Sequence, residues 1–127
     1  SKRNPAAADY QRSLSRHYSS LAALQRTLGL PAEAASTCLL RRNLWAGNPQ
    51  ELFQVARDFA LCAALSNNGE GRSEDGRTEH RRLTAMAIEV LGEALAAGYN
   101  DVQLLQTHPD LEVLRGLPDF EKLIHSN

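Results

Sequence analysis

Residues 85–120 read AMAIEVLGEALAAGYNDVQLLQTHPDLEVLRGLPDF, and this stretch decides the fold of the chain. Its first part predicts an amphipathic helix, because apolar residues recur there every three or four positions. Gly98 follows, where glycine commonly ends a helix. Asn100-Asp101 starts a short segment, and Pro109 and Pro118, each followed by an acid, predict two more short helices. The stretch is typical of a helical stack closed by short capped turns.

The composition favours one globular domain without a membrane span. The chain has 127 residues, of which 43% are apolar and 23% charged, as in ordinary globular domains. No apolar run approaches the roughly 18 residues that cross a bilayer, and the N-terminus does not resemble a signal peptide. Cys38 and Cys62 form no CxxC motif, which favours reduced core cysteines in a cytoplasmic protein over a disulfide. The initial Ser suggests a piece of a longer protein.

Charge is distributed unevenly along the sequence. Residues 1–45 hold seven Lys and Arg against two acids, whereas the remaining residues hold seven against thirteen. A basic first half occurs in nucleic-acid-binding proteins and in proteins that bind acidic peptides. It occurs more often as a solvated face, so charge alone leaves these alternatives open.

The first half predicts a helical hairpin over about residues 5–47. A helix runs from Pro5 to about Leu28, where Gly29 ends it, and Pro31 begins a second helix that ends near Gly47. The first helix has apolar positions at three- and four-residue spacing, namely Tyr10, Leu14, Tyr18, Leu21, Leu24 and Leu28. Because the connection is so short, the two helices must be antiparallel.

A second hairpin is predicted over about residues 48–98. Asn48-Pro49-Gln50-Glu51 is a capping-box start, and the helix after it extends to about Ser66. Residues 67–77 contain three glycines and no apolar side chain, so they are expected to be a mobile insertion. The last long helix then covers about residues 78–97. No segment has the period-two alternation of a strand, so the prediction is an all-α domain over residues 1–127, with a capping tail at 99–127.

The first hairpin is similar to a tetratricopeptide repeat. Tyr18, Leu21 and Ala22 stand at the large, large and small positions of its first helix, and Gly29 stands at the turn. The small residues at Ala22 and Ala34 would allow the two helices to approach closely. Arg41 departs from the pattern, because the repeat has a small residue there.

The tail has a more specific resemblance. Residues 97–123 contain AGYND, HPDL and LR, followed by PDF and Leu123. This order resembles the end of tetratricopeptide-type regions at the C-termini of planctomycete serine/threonine protein kinases. Residues 41–62 resemble the RxxLWxxNP stretch of the same regions. The resemblance implies an accessory helical domain that mediates protein contacts, with any kinase domain upstream of Ser1.

Catalytic and metal-binding patterns are not found in the sequence. The four histidines lack metal-ligand spacing, and neither the glycine-rich loop nor the HRD and DFG motifs of kinases occur. We therefore expect neither an enzyme nor a cofactor. The predicted function is a protein-interaction module, with a homo-oligomerisation domain as an alternative and a nucleic-acid-binding domain as a less favoured one.

The resemblance also predicts a binding surface. In stacked tetratricopeptide hairpins, the first helix of each pair lines a concave groove. The corresponding positions are Arg16, Ser19, Ala23, Arg26 and Thr27 in the first pair, and Gln50, Phe53, Arg57, Ala60 and Leu61 in the second. Arg16, Arg26 and Arg57 around an exposed Phe53 would suit an extended acidic peptide with an apolar anchor. The two-carboxylate clamp of the family is not expected, because Ser19 and Ala23 replace its Lys and Asn.

Overall fold

The computed structural model describes residues 5–67 and 74–125, and these residues form helices and no strand. The long helices are α1 (Pro5–Thr27), α2 (Pro31–Leu44), α3 (Pro49–Asn67) and α4 (Glu74–Ala96). The tail consists of α5 (Val102–Thr107), a 3₁₀ helix (Pro109–Leu114) and α6 (Pro118–His125). The all-α prediction and the three short helices of the tail are confirmed.

The mobile insertion predicted at residues 67–77 is wrong at both of its ends. α3 extends through Asn67, and α4 begins at Glu74 instead of near Thr78. The glycines at positions 69, 71 and 76 obscured these helix boundaries in the sequence. Residues 68–73 lie outside the described part of the chain.

Two glycine turns end α1 and α4 in the same way. At the end of α1, the Leu30 amide donates to Gln25 O at 2.8 Å and the Gly29 amide donates to Arg26 O at 3.0 Å. At the end of α4, Tyr99 N–H donates to Ala94 O and Gly98 N–H to Leu95 O. This pair of bonds requires a left-handed residue, and the φ angles of Gly29 and Gly98 are +76° and +117°. Both glycines therefore end their helices as predicted.

Polar side chains cap the starts of α3, α5 and the 3₁₀ helix. Asn48 Oδ1 accepts from the Glu51 amide at 3.1 Å, and Asp101 Oδ1 accepts from the Leu104 amide at 3.1 Å. His108 Nδ1 accepts from the Asp110 amide at 3.0 Å, so histidine caps the 3₁₀ helix in place of an acid. The Glu51 carboxylate pairs with Arg41 at 3.5 Å, and this pairing replaces the bond back to Asn48 that a capping box would contain.

Each long helix packs against the next. α1 and α2 are antiparallel, and so are α3 and α4. Gln11 on α1 donates to Leu44 O at the end of α2, whereas Thr37 nearer the start of α2 donates to Gln25. On α3 and α4, His80 Nδ1 lies 2.7 Å from Ala63 O. α3 contacts α2, α4 and the 3₁₀ helix, and it has a smaller contact with α1. α3 is therefore the central helix.

The core lies between α3, α4 and the tail. Small residues such as Ala56, Ala63, Ala87 and Ala94 are completely buried and allow α3 and α4 to pack closely. The fully buried larger side chains around them include Val55, Phe59, Leu83, Leu91, Leu105, Leu111, Leu114 and Phe120. In the tail, Tyr99, Leu104 and Leu123 are partly buried against this core, and Ile124 is buried.

The apolar stripe predicted for α1 does not form the core of the first hairpin. Leu24 and Leu28 are 53% and 63% exposed, and Tyr10 is also exposed. Ala22 and Ser15 are buried instead. The spacing correctly predicted one apolar face, but that face is turned away from α2 and α3.

Cys38 on α2 and Cys62 on α3 are both buried and both free thiols. The two side chains share a hydrogen bond, which together with burial raises the pKa of the Cys38 thiol well above its ordinary value. Both cysteines are therefore free, buried core residues of the α2–α3 contact, as expected from the sequence.

The tail provides a test of the packing. Replacing a buried aromatic side chain by alanine typically costs about 3–5 kcal/mol, so we expect Phe120→Ala to lower the free energy of unfolding by about that amount. Such a loss is a large part of the roughly 5–15 kcal/mol that stabilises a domain. Urea denaturation followed by circular dichroism measures the change. Lys122→Ala on the exposed side of α6 is the control, and equal midpoints for both variants would show that the tail does not stabilise the domain.

Candidate peptide-binding groove

One face of α1 lies beside α3 and forms a groove, which we call the α1–α3 groove. The residues of α1 along it recur at three- and four-residue intervals and therefore share a side of the helix. They are Arg12, Arg16, Ser19, Ala23, Arg26 and Thr27. α3 contributes Leu61, Ala64 and Leu65 at the far end. The groove has one cavity at each end, with different chemistry.

The first cavity, of about 240 Å³, is termed the polar cavity. It is lined by Arg12, Ser15, Arg16, Ser19, Arg41, Trp45 and Glu51. Trp45, half-buried at the end of α2, donates its indole N–H to Ser15 Oγ at 2.6 Å. The Arg16 side chain is exposed, and within the described residues it makes no ion pair. An uncompensated guanidinium therefore stands beside two serine hydroxyls.

The second cavity, of about 350 Å³, is termed the apolar cavity. It is lined by Ala23, Arg26, Thr27, Leu61, Ala64 and Leu65. The Thr27 hydroxyl already donates to Ala23 O at 3.0 Å, so its hydrogen is engaged within α1. The aliphatic side chains from both helices make this end suitable for an apolar group.

Arg41 joins the three helices beneath the polar cavity. Its Nε donates to Ser15 Oγ on α1 at 3.2 Å, and its Nη1 donates to Asp58 Oδ2 on α3 at 2.9 Å. Its Nη2 lies 3.5 Å from Glu51 Oε1. The guanidinium is buried, so these partners are needed to compensate its charge. Arg41 thus fills a position where the tetratricopeptide pattern has a small residue.

Arg26 connects this ion-pair cluster to the apolar cavity. Its Nη1 lies 3.6 Å from Asp58 Oδ1, and the same nitrogen is buried without a hydrogen-bond partner. Burial raises the pKa of the Asp58 carboxyl, while Arg26 and Arg41 act in the opposite direction. Arg26 therefore lines the groove as predicted, but its charge is largely compensated from within the protein.

Phe53 and Arg57 do not belong to the groove, contrary to the sequence-based prediction. Phe53 is only 4% exposed, because its ring stacks on Tyr99 with the centroids 4.7 Å apart and the planes 8° apart. Arg57 Nε donates to Asp110 Oδ2 at 3.1 Å, and its Nη1 donates to Gln54. Both side chains attach α3 to the tail. They were expected to be accessible because the repeat register places them on the concave face, but at these two positions the tail contacts α3.

Of the other predicted positions, some line the groove and some do not. Ser19, Ala23, Thr27 and Leu61 line the two cavities, whereas Ala60 is completely buried and Gln50 is exposed outside both. Sequence reasoning missed Arg12, Ser15, Ala64 and Leu65. Arg12 continues the spacing of Arg16 and Ser19 by one further turn, so the same helical period could have identified it.

No His, Cys, Asp and Glu cluster suited to a metal ion occurs within residues 5–67 and 74–125. None of the helices described has both the length and the apolar character required to cross a membrane. Comparison with protein-family models, curated proteins and solved structures finds no match to this chain.

The buried ion pair below the polar cavity allows a matched comparison of two aspartates. We expect Asp58→Ala to destabilise the protein by about 3–5 kcal/mol, because it leaves the buried Arg41 without its nearest counter-charge. Asp9 also pairs with an arginine, Arg12, at 2.5 Å, but both side chains are largely exposed. Asp9→Ala should change the urea midpoint little, since exposed ion pairs contribute little. Equal losses for the two variants would contradict a stabilising role for the buried pair.

Proposed function

We propose that this chain is a non-catalytic protein-interaction domain that binds an extended peptide in the α1–α3 groove. The observation that carries the proposal is the combination of Arg16, which has no ion-pair partner among the described residues, at one end of this groove and an apolar cavity at the other. Interfaces often use an arginine and an apolar side chain as anchors. The groove residues lie on two rigid helices, which would keep these anchors at a fixed separation.

A tetratricopeptide-like arrangement is the fold that we propose for this function. The close approach of α1 and α2 is consistent with it, because Ala22 and Ala34 are both buried. The Gly29 turn and the antiparallel contacts of α1 with α2 are also consistent. In such a stack α1 and α3 would be the first helices of consecutive hairpins, and the groove would be the concave surface.

The setting of the domain rests on its resemblance to the C-terminal regions of planctomycete serine/threonine kinases. We propose that it is an accessory part of a larger cytoplasmic signalling protein and recruits a partner to it. The Arg57–Asp110 ion pair and the Phe53–Tyr99 stack would then hold the closing segment of the domain on α3. Neither interaction requires a cofactor.

Self-association is a second candidate, because α1 carries exposed leucines on the side away from the groove. Leu21, Leu24 and Leu28 are three and four residues apart and share one face of α1. At 100° per residue, this face is rotated by about 120° around the helix axis from the face that contains Arg16 and Ala23. A peptide and a second copy could therefore bind to separate surfaces.

Nucleic-acid binding has less support. Several cations of the first half are paired with acids, namely Arg12 with Asp9, Arg26 and Arg41 with Asp58, and Arg42 with Glu93. These ion pairs reduce the positive charge available to a phosphate backbone.

Peptide binding is tested by selection from a random peptide library on the immobilised domain. We expect Arg16→Glu to weaken the binding of the selected peptides at least tenfold, because it replaces an exposed cation of the groove by an anion. Arg81→Glu makes the same charge change on the exposed side of α4 and should leave the affinity unchanged. Fluorescence polarisation measures both, and equal affinities for the two variants would place the peptide outside the groove.

Self-association is tested separately on the leucine face. If it occurs through this face, sedimentation of the wild type over a range of concentrations should show a dimer or larger species. Leu24→Glu with Leu28→Glu should then give a monomer with an unchanged circular dichroism spectrum, because both side chains are more than half exposed. A wild type that remains monomeric at all concentrations would exclude this candidate.

A further inference from the structure

We infer that the α1–α3 groove recognises a carboxylate and a large apolar side chain held three to five residues apart in an extended peptide. This inference rests on the proposed peptide-binding function and specifies the ligand. It follows from the hydrogen-bonding capacity of the polar cavity, the charges around it, and the distance along α1 to the apolar cavity.

The Ser15 hydroxyl supplies a free donor in the polar cavity. A serine hydroxyl can accept two hydrogen bonds and donate one. Both accepting positions are used, by Arg41 Nε at 3.2 Å and by Trp45 Nε1 at 2.6 Å. Among the described residues no acceptor takes the Ser15 proton, although the side chain is buried. The proton is therefore available to a ligand that carries an acceptor atom.

Two cations are accessible beside this donor. Arg16 is exposed and has no ion-pair partner within the described residues. Arg12 is paired with Asp9, but the pair is solvent-exposed, so a ligand anion can replace Asp9 at little cost. Arg41 is different, because Asp58 and Glu51 already surround it. A ligand acceptor would thus be held by Arg16, Arg12 and the Ser15 hydroxyl.

A carboxylate fits this cavity better than a phosphate group. The planar guanidinium of arginine can donate two parallel hydrogen bonds to a carboxylate. Glu51 also lines the cavity, where its carboxylate lies 3.5 Å from Arg41. This negative charge would repel a dianion more strongly than a monoanion. The local charge accordingly favours a ligand with a single negative charge, such as a Glu or Asp side chain.

The distance to the apolar cavity follows from the helix geometry. Arg16 and the apolar-cavity residues Ala23 and Thr27 are seven and eleven positions apart on one face of α1. At 1.5 Å per residue these separations are about 10 and 16 Å. An extended peptide rises about 3.3 Å per residue, so three to five residues span them. A helical peptide would need seven to eleven residues to span the same distance.

The size of the apolar side chain is set by the second cavity. The cavity has a volume of about 350 Å³ and is bordered by Leu61 and Leu65 of α3. Ala23 forms its α1 side and is exposed to solvent. A leucine or methionine side chain of the ligand would occupy this cavity. A larger residue at position 23 would fill the same space and exclude it.

The spacing is tested with synthetic peptides that carry one Glu and one Leu in a Gly/Ser background, in both orders, at separations of one to eleven residues. Fluorescence polarisation against the full chain should show the tightest binding at separations of three to five residues. We expect these peptides to bind at least fivefold more tightly than those at separations of one or nine. An optimum at seven to eleven residues, or no dependence on spacing, would overturn the inference.

Two variants link each anchor to its cavity. Arg16→Glu should lose the Glu-containing peptide and should bind a peptide with Lys in place of Glu at least fivefold more tightly than the wild type does. Ala23→Leu should reduce the preference for Leu over Ala at the apolar position at least fivefold. Melting temperatures close to that of the wild type confirm that both variants fold. If neither variant changes the preference, the assigned cavities are wrong.

Further peptides distinguish a carboxylate ligand from a phosphate ligand. They also distinguish failure of the ligand inference from failure of the proposed peptide-binding function. Replacing Glu by phosphoserine should give no tighter binding, and a gain of tenfold or more would overturn the carboxylate assignment. If library-selected peptides bind the groove but the spaced Glu/Leu peptides do not, the ligand inference fails and the proposed function stands. If neither set binds, both proposals fail.

Discussion

The buried guanidinium of Arg41 determines how the first hairpin sits on the rest of the molecule. It belongs to α2, but its hydrogen bonds reach Ser15 on α1 and Asp58 on α3. Because an uncompensated charge in this position would be very costly, the three helices must keep the geometry that satisfies it. The contact between α1 and α3 is otherwise small. The polar cluster therefore fixes the width of the groove that the proposed function requires.

The two ends of one face of α3 perform different tasks. Leu61 and Leu65 form the wall of the apolar cavity, while Phe53 and Arg57 hold the tail through Tyr99 and Asp110. The remaining faces contact α2 and α4. A helix surrounded in this way has little freedom to move independently of its neighbours. The apolar cavity is thus built partly on a helix that contacts the other three long helices, which favours a preformed binding site.

Much of the fold was predictable because its signals are local. Proline starts and the glycines at positions 29 and 98 mark helix boundaries through backbone geometry that depends on only a few neighbouring residues. The direction in which a helix face points depends on tertiary packing and not on local sequence. Leu24 and Leu28 follow the period of a core-facing stripe, yet they are exposed. Periodicity gives the existence of an apolar face but not the element that covers it.

The candidate site was predictable only in its α1 half for the same reason. Arg16, Ser19, Ala23 and Thr27 lie where the helical period and the repeat register place them together. Phe53 and Arg57 follow the same register on α3, but distant tail residues cover one and bind the other. Ser15 and Trp45 meet through a hydrogen bond between residues thirty positions apart. Such contacts depend on tertiary packing, which no short sequence pattern contains.

The adjacent thiols of Cys38 and Cys62 make the α2–α3 contact accessible to kinetic measurement. Both are completely enclosed, so an alkylating reagent can reach them only when the two helices separate or the domain unfolds. When the reagent reacts slowly compared with closing, the modification rate reports the equilibrium population of open molecules. The natural sequence thus contains its own reporter of local opening, at the contact where Arg41 meets Asp58.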